Sequence, residues 1–256
     1  MKTVIAIPCY NCEAQLPRVL DGIDAALAAS VDEIWVVDNG STDSTREVAI
    51  AYAASGRLPG LRVFRNRQNV NLGGTHKTVF RKAAAAGKTH VVILHGDDQA
   101  KSAEAADLIA IAEAGGAQTV LGSRFARQSR LHGYDAKRIA GNRVLNLLYS
   151  TVAGRRLQDL GSGLNLFAIA DLDERTYLSF GDRLSFNYEL ILDLVRRRVA
   201  FAYLPITWSE TDQVSNARNV TIFSEAVRIL GRWRAGKPTS DARLADASGY
   251  DWDELA

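Results

Sequence analysis

The sequence predicts a single α/β domain with a mostly parallel central sheet flanked by helices. Short apolar, β-branched runs alternate with longer segments of helical periodicity through the first half, as in β-α-β units. The chain has 256 residues, 47% of them hydrophobic, which is enough for one sizeable core. Its net charge of +2 argues against a protein that binds nucleic acid through bulk charge.

The first half contains five predicted strands, each of which ends at a turn or a polar residue. These strands are 3–7, 33–37, 61–64, 91–94 and 119–122. The connecting helices, predicted from apolar residues at helical spacing, are 14–29, 42–54, 75–86 and 103–114. Because each helix returns the chain to the same sheet, the strands should run parallel.

The second half predicts longer helices and fewer strands. The helices are 135–153, 186–197 and 221–233, and the strands are 164–169 and 200–208. Residues 1–234 are predicted to form the domain, and the polar tail 235–256 is predicted to be flexible.

Neither a secretory signal nor an apolar run long enough for a bilayer is present, so we expect a cytoplasmic protein with reduced thiols. Cys9 and Cys12 have the spacing of a redox motif, but their place at a strand end favours a turn over a ligand.

Acidic residues follow two of the predicted strands. Asp97 and Asp98 come two residues after the end of 91–94, and Asp38 directly follows 33–37. Ligands of open α/β sheets bind at the carboxyl ends of the strands. Carboxylates there suit a hard divalent cation, which in turn suits a diphosphate. A solvated turn with a helix-capping aspartate is the alternative for each of these positions.

Seven short motifs occur in order along the chain. They are Pro8-Cys9-Tyr10-Asn11, Val36 to Asp43, Asn69 to Gly74, His95 to Gln99, Gly122-Ser123-Arg124, Asp159 to Gly163, and Tyr188-Glu189-Leu190 followed by Leu204-Pro205-Ile206. This series resembles the inverting glycosyltransferase family 2, and within it the dolichyl- or polyprenyl-phosphate mannose synthase-like branch. The resemblance extends from Lys2 to about Arg234.

The resemblance implies the GT-A fold and a hexosyl transfer reaction. The donor would be a UDP- or GDP-linked sugar, bound with Mg²⁺ or Mn²⁺ by residues 1–125. The acceptor, a polyprenyl phosphate or another lipid-linked or soluble glycan, would be bound by residues 126–234. The sequence makes no prediction about the sugar or the oligomeric state.

The same resemblance assigns roles to individual residues. The donor site would contain Pro8, Tyr10, Asn11, Glu13, Asp38, Gly40, Ser41, Asn71, Gly73, Lys77, Gly96, Asp97, Gln99, Ser215 and Arg218. Asp38 would contact the base, and Asp97, Asp98 and His95 are the candidate metal ligands. Arg124, Asp159 and Glu189 are the candidate catalytic residues. Asp159 would orient the acceptor or deprotonate a hydroxyl, whereas a phosphate acceptor is already ionised and needs no strong base.

Four positions depart from the family pattern. His95 stands where the family has a carboxylate, Asp98 where it has glycine, and Asn165 where it has arginine. Cys12 stands where the family has a glutamate after Asn11, and Glu13 follows one place later. An imidazole suits Mn²⁺ better than Mg²⁺, but His95 equally fits a structural histidine at a strand end. This departure leaves a catalytically silent nucleotide-sugar-binding module as an alternative. A nucleotidyltransferase would need a basic, phosphate-binding loop after the first strand, which 8–11 lacks.

The predicted helix 221–234 has an apolar face beside basic residues. This pattern fits contact with a membrane surface at the inner face of the cell membrane. It fits ordinary docking onto the domain equally well.

Overall fold

The computed structural model describes residues 1–212, 219–240 and 249–256. Its strands are β1 (Thr3–Cys9), β2 (Glu33–Asp38), β3 (Leu61–Asn66), β4 (His90–Leu94), β5 (Thr119–Ser123), β6 (Arg130–His132), β7 (Leu164–Ala168), β8 (Phe201–Pro205), β9 (Thr207–Ser209) and β10 (Trp252–Glu254). Its α-helices are α1 (Leu16–Asp21), α2 (Ala25–Ala29), α3 (Thr45–Ala54), α4 (Asn71–Ala85), α5 (Ala105–Glu113), α6 (Ala136–Ala153), α7 (Glu174–Leu178), α8 (Phe186–Arg196) and α9 (Asn219–Arg234). Within these described ranges, no helix combines the length and apolarity needed to cross a membrane.

Eight strands form one sheet in the order β10-β3-β2-β1-β4-β7-β5-β8. β1, β2, β3 and β4 are mutually parallel, as are β5 and β8. β7 enters from the second half of the chain and runs antiparallel between β4 and β5. The predicted α/β fold with a mostly parallel sheet is therefore confirmed. β6 and β9 form a separate parallel pair.

The sheet carries an apolar core on each face, which explains why its central strands are apolar throughout. One core packs Val4, Ala6 and Ile93 against the inner sides of α4, α6, α8 and α9. The other packs Ile5 and Val92 against α1, α3 and α5. Alternate residues of β1 and β4 thus serve opposite layers.

The helix predicted over 14–29 is two shorter helices. α1 ends at Asp21, and α2 begins after Asp24, whose carboxylate accepts a hydrogen bond from Leu27 N at 2.8 Å. Asp24 is therefore the N-cap of a second helix, and the chain does not continue as one helix from α1. Apolar periodicity alone does not reveal this break.

Helix α4 begins at Asn71, four residues before the predicted start at Thr75. The Asn69 side chain accepts from Asn71 N at 2.9 Å, and Gly73 N donates to Asp182 O at 2.7 Å. The first-turn amides therefore find partners in a distant loop, so the two glycines lie in the helix instead of in a preceding turn.

The strand predicted over 200–208 divides between two sheets. β8 pairs with β5 up to Pro205, and β9 then pairs with β6. Strand β6 was not predicted from the sequence. Proline lacks the amide hydrogen that would continue a ladder, and the chain changes sheets directly after it. The short helix α7 was also missed.

The end of the tail returns to the sheet, contrary to the prediction of a flexible segment. β10 pairs antiparallel with β3, and Val63 N donates to Ala256 O at 2.7 Å. Trp252 stacks on Phe64 with ring centroids 4.4 Å apart. Apolar burial of this ring anchors the final eight residues, which composition alone did not show.

Candidate functional site

The carboxyl ends of β1, β2 and β4 lie side by side and bring the predicted donor residues together. Cys9 at the end of β1 is paired with Asp38 at the end of β2. The loop after β4 is held against β1 because Gly96 N donates to Pro8 O at 3.0 Å. His95 N donates to Gly163 O at 2.9 Å, which brings the loop before β7 to the same edge.

One carboxylate oxygen of Asp38 accepts a hydrogen bond within the protein, and the other accepts none from a described residue. Its side chain is 1% exposed, and Oδ1 accepts from Ser41 N at 2.9 Å. Oδ2 lies 3.7 Å from Arg65 Nε and has no hydrogen-bond partner among the described residues. The turn and ligand roles considered for this residue are therefore compatible, since one oxygen remains to accept an N–H.

Asn11 and Glu13 hold the turn that follows β2. Asn11 Oδ1 accepts from Thr42 N at 2.8 Å, and the backbone N–H of Asn11 donates to Ser41 Oγ at 3.0 Å. Glu13 Oε2 accepts from Ser44 N at 2.8 Å. These contacts make both residues supports of the segment that begins α3, next to the half-exposed ring of Tyr10. Gly40 has a φ of +75°, which an L side chain rarely adopts.

Both cysteines are free and buried beneath this edge. A hydrogen bond with Cys12, then burial, raises the pKa of the Cys9 thiol well above its usual value. A Cβ at position 96 would lie 2.5 Å from Cys9 Sγ, so the close packing requires glycine there. A raised pKa and burial describe Cys9 as a packing thiol, in agreement with the turn interpretation.

The candidate metal ligands form a small and incomplete shell. Burial raises the pKa of Asp97, although His95 and the Gln99 amide oppose the shift. His95 Nε2 is buried and has no partner in the described part of the chain. No group of three His, Cys, Asp or Glu side chains within the described ranges could hold an ion alone. One carboxylate and one imidazole fit an ion that takes its other ligands from a diphosphate and water.

Asp98 faces a different partner from Asp97. It adopts a φ of +58°, and its carboxylate accepts from Arg18 Nε at 2.6 Å. Arg18 also binds Asp212, with a closest distance of 2.9 Å. The left-handed backbone explains why glycine suits this position in the family motif, and the ion pair occupies the side chain that replaces it.

Gln99 belongs to a polar network that reaches α6. Its Nε2 donates to Glu210 Oε1 at 3.3 Å, and Arg138 donates to both oxygens of Glu210 at 2.6–2.7 Å. Glu210 was not among the predicted site residues. It follows β9, which the sequence predicted only as the end of one longer strand, so no sequence signal placed it beside Gln99.

Arg124 and Asp159 form a buried, bidentate ion pair. Arg124 Nε and one terminal nitrogen each lie 2.8 Å from an Asp159 oxygen, and the Arg124 amide adds a third bond at 2.8 Å. Gly161 N donates to the same carboxylate at 3.1 Å. Burial lowers the pKa of Arg124, but the charge of Asp159 outweighs this and raises it overall. Four donors occupy Asp159, which is the environment of a positioning carboxylate and not of a general base.

Aromatic rings enclose the Arg124 guanidinium. Its central carbon lies 4.9 Å from the ring centroid of Trp208 and 5.2 Å from that of Phe125. The hydroxyl of Tyr134 accepts from Arg124 at 3.5 Å and from Asn142 at 3.1 Å. The long contact to Tyr134 leaves one guanidinium nitrogen only weakly engaged and able to contact an anion.

Lys77 does not reach the donor edge, which corrects its predicted role. Its fully buried Nζ donates to Phe180 O at 2.5 Å, Asp182 Oδ1 at 2.7 Å and Tyr250 Oη at 3.2 Å. Burial lowers its pKa, although Asp182 opposes the shift. The three donors of an ammonium are thereby used inside the protein.

Glu189 belongs to this internal network around Lys77. It is buried, and Oε2 accepts from Gly181 N at 2.7 Å. Burial raises the pKa of its carboxyl group, while the Gly181 amide and the charge of Lys77 oppose the shift. These contacts favour the structural alternative for Glu189 over a role with substrate.

Gly73 packs closely against another segment of the protein and not against an open ligand site. A Cβ there would lie 2.6 Å from Phe186 Cβ and 2.8 Å from Gly181 O. The glycine therefore lets α4 contact the loop before α8. Asn71, with a φ of +57°, begins the same helix beside the Asp38 turn.

The two remaining predicted donor residues, Ser215 and Arg218, lie outside the described residues.

His76 and Asn187 are buried polar residues that the sequence analysis missed. Both ring nitrogens of His76 and Asn187 Oδ1 lack hydrogen-bond partners within the described ranges. The His76 ring centroid is 5.7 Å from that of His95, and burial lowers the pKa of His76 well below its usual value. Their positions inside helical segments carried no pattern that distinguishes them from neighbours.

Comparison with known proteins identifies a family for most of the chain. The model of glycosyl transferase family 2 matches residues 4–169, which include β1 to β7 and the predicted site up to Asp159. A comparison with curated protein sequences found no match.

Solved structures of similar fold include glucosyl-3-phosphoglycerate synthase from Mycobacterium tuberculosis. Its complex with Mn²⁺, UDP-glucose and phosphoglyceric acid has 19% identity and a TM-score of 0.59, covering 93% of this chain and 80% of that one. Its complex with Mn²⁺, UDP and phosphoglyceric acid has 17% identity and a TM-score of 0.60, covering 99% and 86%. This likeness establishes a shared fold.

Proposed function

The chain belongs to glycosyl transferase family 2, and from this premise we propose that it transfers a hexosyl group from a UDP- or GDP-linked sugar to a polyprenyl phosphate or another lipid-linked acceptor. The observation that carries the proposal is the meeting of Asp38, Asp97 and the Arg124–Asp159 pair around the carboxyl ends of the strands. In open α/β sheets this edge is where ligands bind.

The donor base is proposed to contact Asp38. Its Oδ2, which accepts no hydrogen bond from a described residue, supplies the acceptor that an imide N–H of uracil or guanine requires. Asn11, Gly40 and Ser41 support this interaction by fixing the turn to which Asp38 Oδ1 is bonded. The solved relatives of the same fold that were crystallised with UDP provide an independent reason to test uridine donors first.

A divalent cation is proposed at Asp97, with His95 as the second protein ligand. Such an ion would neutralise the charge of the departing diphosphate. Asp97 is proposed as the principal ligand because the Asp98 carboxylate is bound by Arg18. Mn²⁺ suits a set that includes imidazole, and Mn²⁺ is present in related solved structures.

The acceptor is proposed to be anionic and to lie beside Arg124. The guanidinium has one weakly engaged nitrogen next to the Tyr134 hydroxyl and Asn142. Asp159 holds this guanidinium in position by two side-chain bonds. An ionised phosphate oxygen attacks without help from a general base, which agrees with the saturated environment of Asp159.

Replacement of Asp97 by Ala tests the metal role. We expect Asp97→Ala to abolish transfer and to change the free energy of unfolding by less than about 1 kcal/mol, because burial already disfavours the charged carboxylate there. The measurements are sugar transfer with Mn²⁺ or Mg²⁺ and urea unfolding of both proteins.

A thermal-shift screen of UDP- and GDP-sugars separates binding from transfer. Stabilisation by a donor that depends on Mn²⁺ and is lost in Asp97→Ala supports the proposed site. Donor stabilisation without transfer or donor hydrolysis would favour the alternative of a silent nucleotide-sugar-binding module. Normal transfer in the presence of a chelator would contradict the metal role.

A further inference from the structure

Exposed apolar side chains are concentrated on two adjoining helices of the acceptor half. Val144 and Leu147 on α6, and Phe223 and Val227 on α9, are 41–68% exposed. They are half of the large hydrophobic side chains that are exposed in the described part of the chain. Singly scattered exposed hydrophobics are normal in soluble proteins, whereas a group on neighbouring helices indicates a contact surface.

Helices α6 and α9 pack side by side, and each presents an outer side to solvent. The hydroxyl of the buried Tyr149 on α6 donates to Ala226 O on α9 at 2.7 Å. Ile229 and Leu230 face the shared core, while Phe223 and Val227 face outward. We call the outward side chains of these two helices the α6–α9 surface.

The charged residues of helices α6 and α9 are almost all basic. Helix α6 contains no acidic residue from Ala136 to Ala153, and α9 contains only Glu225. Lys137, Arg143 and Arg234 are exposed and form no ion pair with another described residue. Charge that the protein does not neutralise is available for an anionic partner.

We propose that the α6–α9 surface docks onto a bilayer that contains anionic phospholipid, and this inference rests on the proposed lipid-linked acceptor. Apolar side chains interspersed with Lys and Arg match the interface of such a bilayer, in which the aliphatic groups enter the acyl boundary and the cations meet the headgroups. A second copy of the chain in a symmetric dimer would bring the same unneutralised cations together, which disfavours it as the occupant of this surface.

Helix α6 connects the α6–α9 surface to the candidate site. Arg138 near its start binds Glu210, which also contacts Gln99 in the donor loop. Leu147 lies nine residues farther along the same helix, which corresponds to about 14 Å. A shallow groove of about 540 Å³ adjoins Leu147 and is lined by Thr151, Gly154 and Arg156. Docking here would therefore bring the headgroup region close to the acceptor side.

Co-sedimentation with vesicles tests the docking in the absence of any donor. The full chain should bind phosphatidylcholine vesicles that contain phosphatidylglycerol, bind pure phosphatidylcholine weakly, and dissociate as salt increases. Leu147→Asn and Arg143→Glu should each reduce binding at least about fivefold. The matched controls are Leu255→Asn, directly after β10 at the opposite edge of the sheet, and Lys101→Glu, which precedes α5. Both should bind as the unmodified protein does.

Two further measurements keep the outcomes distinct. Donor-induced thermal shifts should be equal in all four variants and the unmodified chain, so a failure of vesicle binding with an intact donor response would overturn the docking alone. Equal vesicle binding by Leu147→Asn would overturn it as well. A dimer in sedimentation velocity that Leu147→Asn dissociates would instead assign the surface to a second copy of the chain.

Discussion

At the scale of single residues, the Arg124–Asp159 pair determines what the acceptor side can do. Asp159 is 1% exposed and accepts four hydrogen bonds, three of them from Arg124. A carboxylate that is buried and bound by two charge-assisted side-chain bonds is held in one orientation. Its contribution is to fix the guanidinium beside Tyr134.

Breaking this pair should destabilise the fold as well as stop transfer. We expect Asp159→Asn to lower the free energy of unfolding by about 3 kcal/mol, because Arg124 would remain buried without its counter-charge. Urea unfolding measures this loss. The double variant Arg124→Met with Asp159→Leu should regain most of the stability, since it removes both charges, but no transfer activity. Transfer at a normal rate in the double variant would contradict the proposed acceptor contact.

The sequence located residues by their place after strands, but it did not show their partners. Asp38 and Asp97 were found because each stands at or within three residues of the end of an apolar run, and the structure places both strand ends at one edge. The burial of Lys77 was not predictable, since its partners Asp182 and Tyr250 lie 105 and 173 residues away along the chain. The same limit applies to Glu210, which lies 111 residues from Gln99 along the chain and is held beside it because Ser209 N donates to Gln99 O at 2.8 Å.

At the scale of elements, the first turn of α4 depends on a contact with the loop before α8. Gly73 N and Gly74 N both donate to Asp182 O, at 2.7 and 3.3 Å. The neighbouring Asn39 side chain accepts from Val70 N at 3.0 Å and so ties the start of the helix to the end of β2. Apolar periodicity predicted the body of this helix correctly, but its start is set by tertiary hydrogen bonds.

Gly73→Ala tests this contact. The added methyl would meet the backbone of Asp182 and Gly181 at 2.8 Å, and backbone cannot move as a flexible side chain can. We expect a loss of about 1–3 kcal/mol in the free energy of unfolding, measured by urea denaturation. The control is Gly141→Ala on α6, where a Cβ has open space and should stabilise by about 0.5–1 kcal/mol. Equal effects of the two changes would contradict the close contact.

At the scale of the whole molecule, the chain closes its sheet with residues far apart in sequence. β10 near the C-terminus covers the edge of β3, and β7 from the second half separates β4 from β5. The alternation of strands and helices predicted the parallel part of this sheet, because local connections dictate it. The two antiparallel strands arrive by long-range pairing, which no local pattern encodes.

Ion pairs across the β2–β3–β10 edge make the stability of the molecule depend on pH. Glu33 on β2 accepts from Trp35 Nε1 and Arg62 at 2.8 Å, and Lys88 Nζ lies 2.6 Å from it. Arg62 also binds Glu254 on β10. Burial alone would raise the pKa of Glu33, but Lys88, Trp35 and Arg62 together lower it to about 2 from its usual 4.5. The folded state therefore favours the ionised form.

The sign of this shift fixes the pH range in which Glu33 matters. A carboxylate with a lowered pKa contributes its full stabilisation above pH 4.5, and the contribution disappears as the pH falls toward about 2. We expect Glu33→Gln to cost about 2 kcal/mol at pH 7, with the difference from the unmodified chain shrinking between pH 4.5 and 2. Urea unfolding at several pH values measures it. Glu113→Gln, at an exposed glutamate at the end of α5, should show little difference at any pH. A constant cost for Glu33→Gln across this range would mean that the side chain acts by packing and not through its charge.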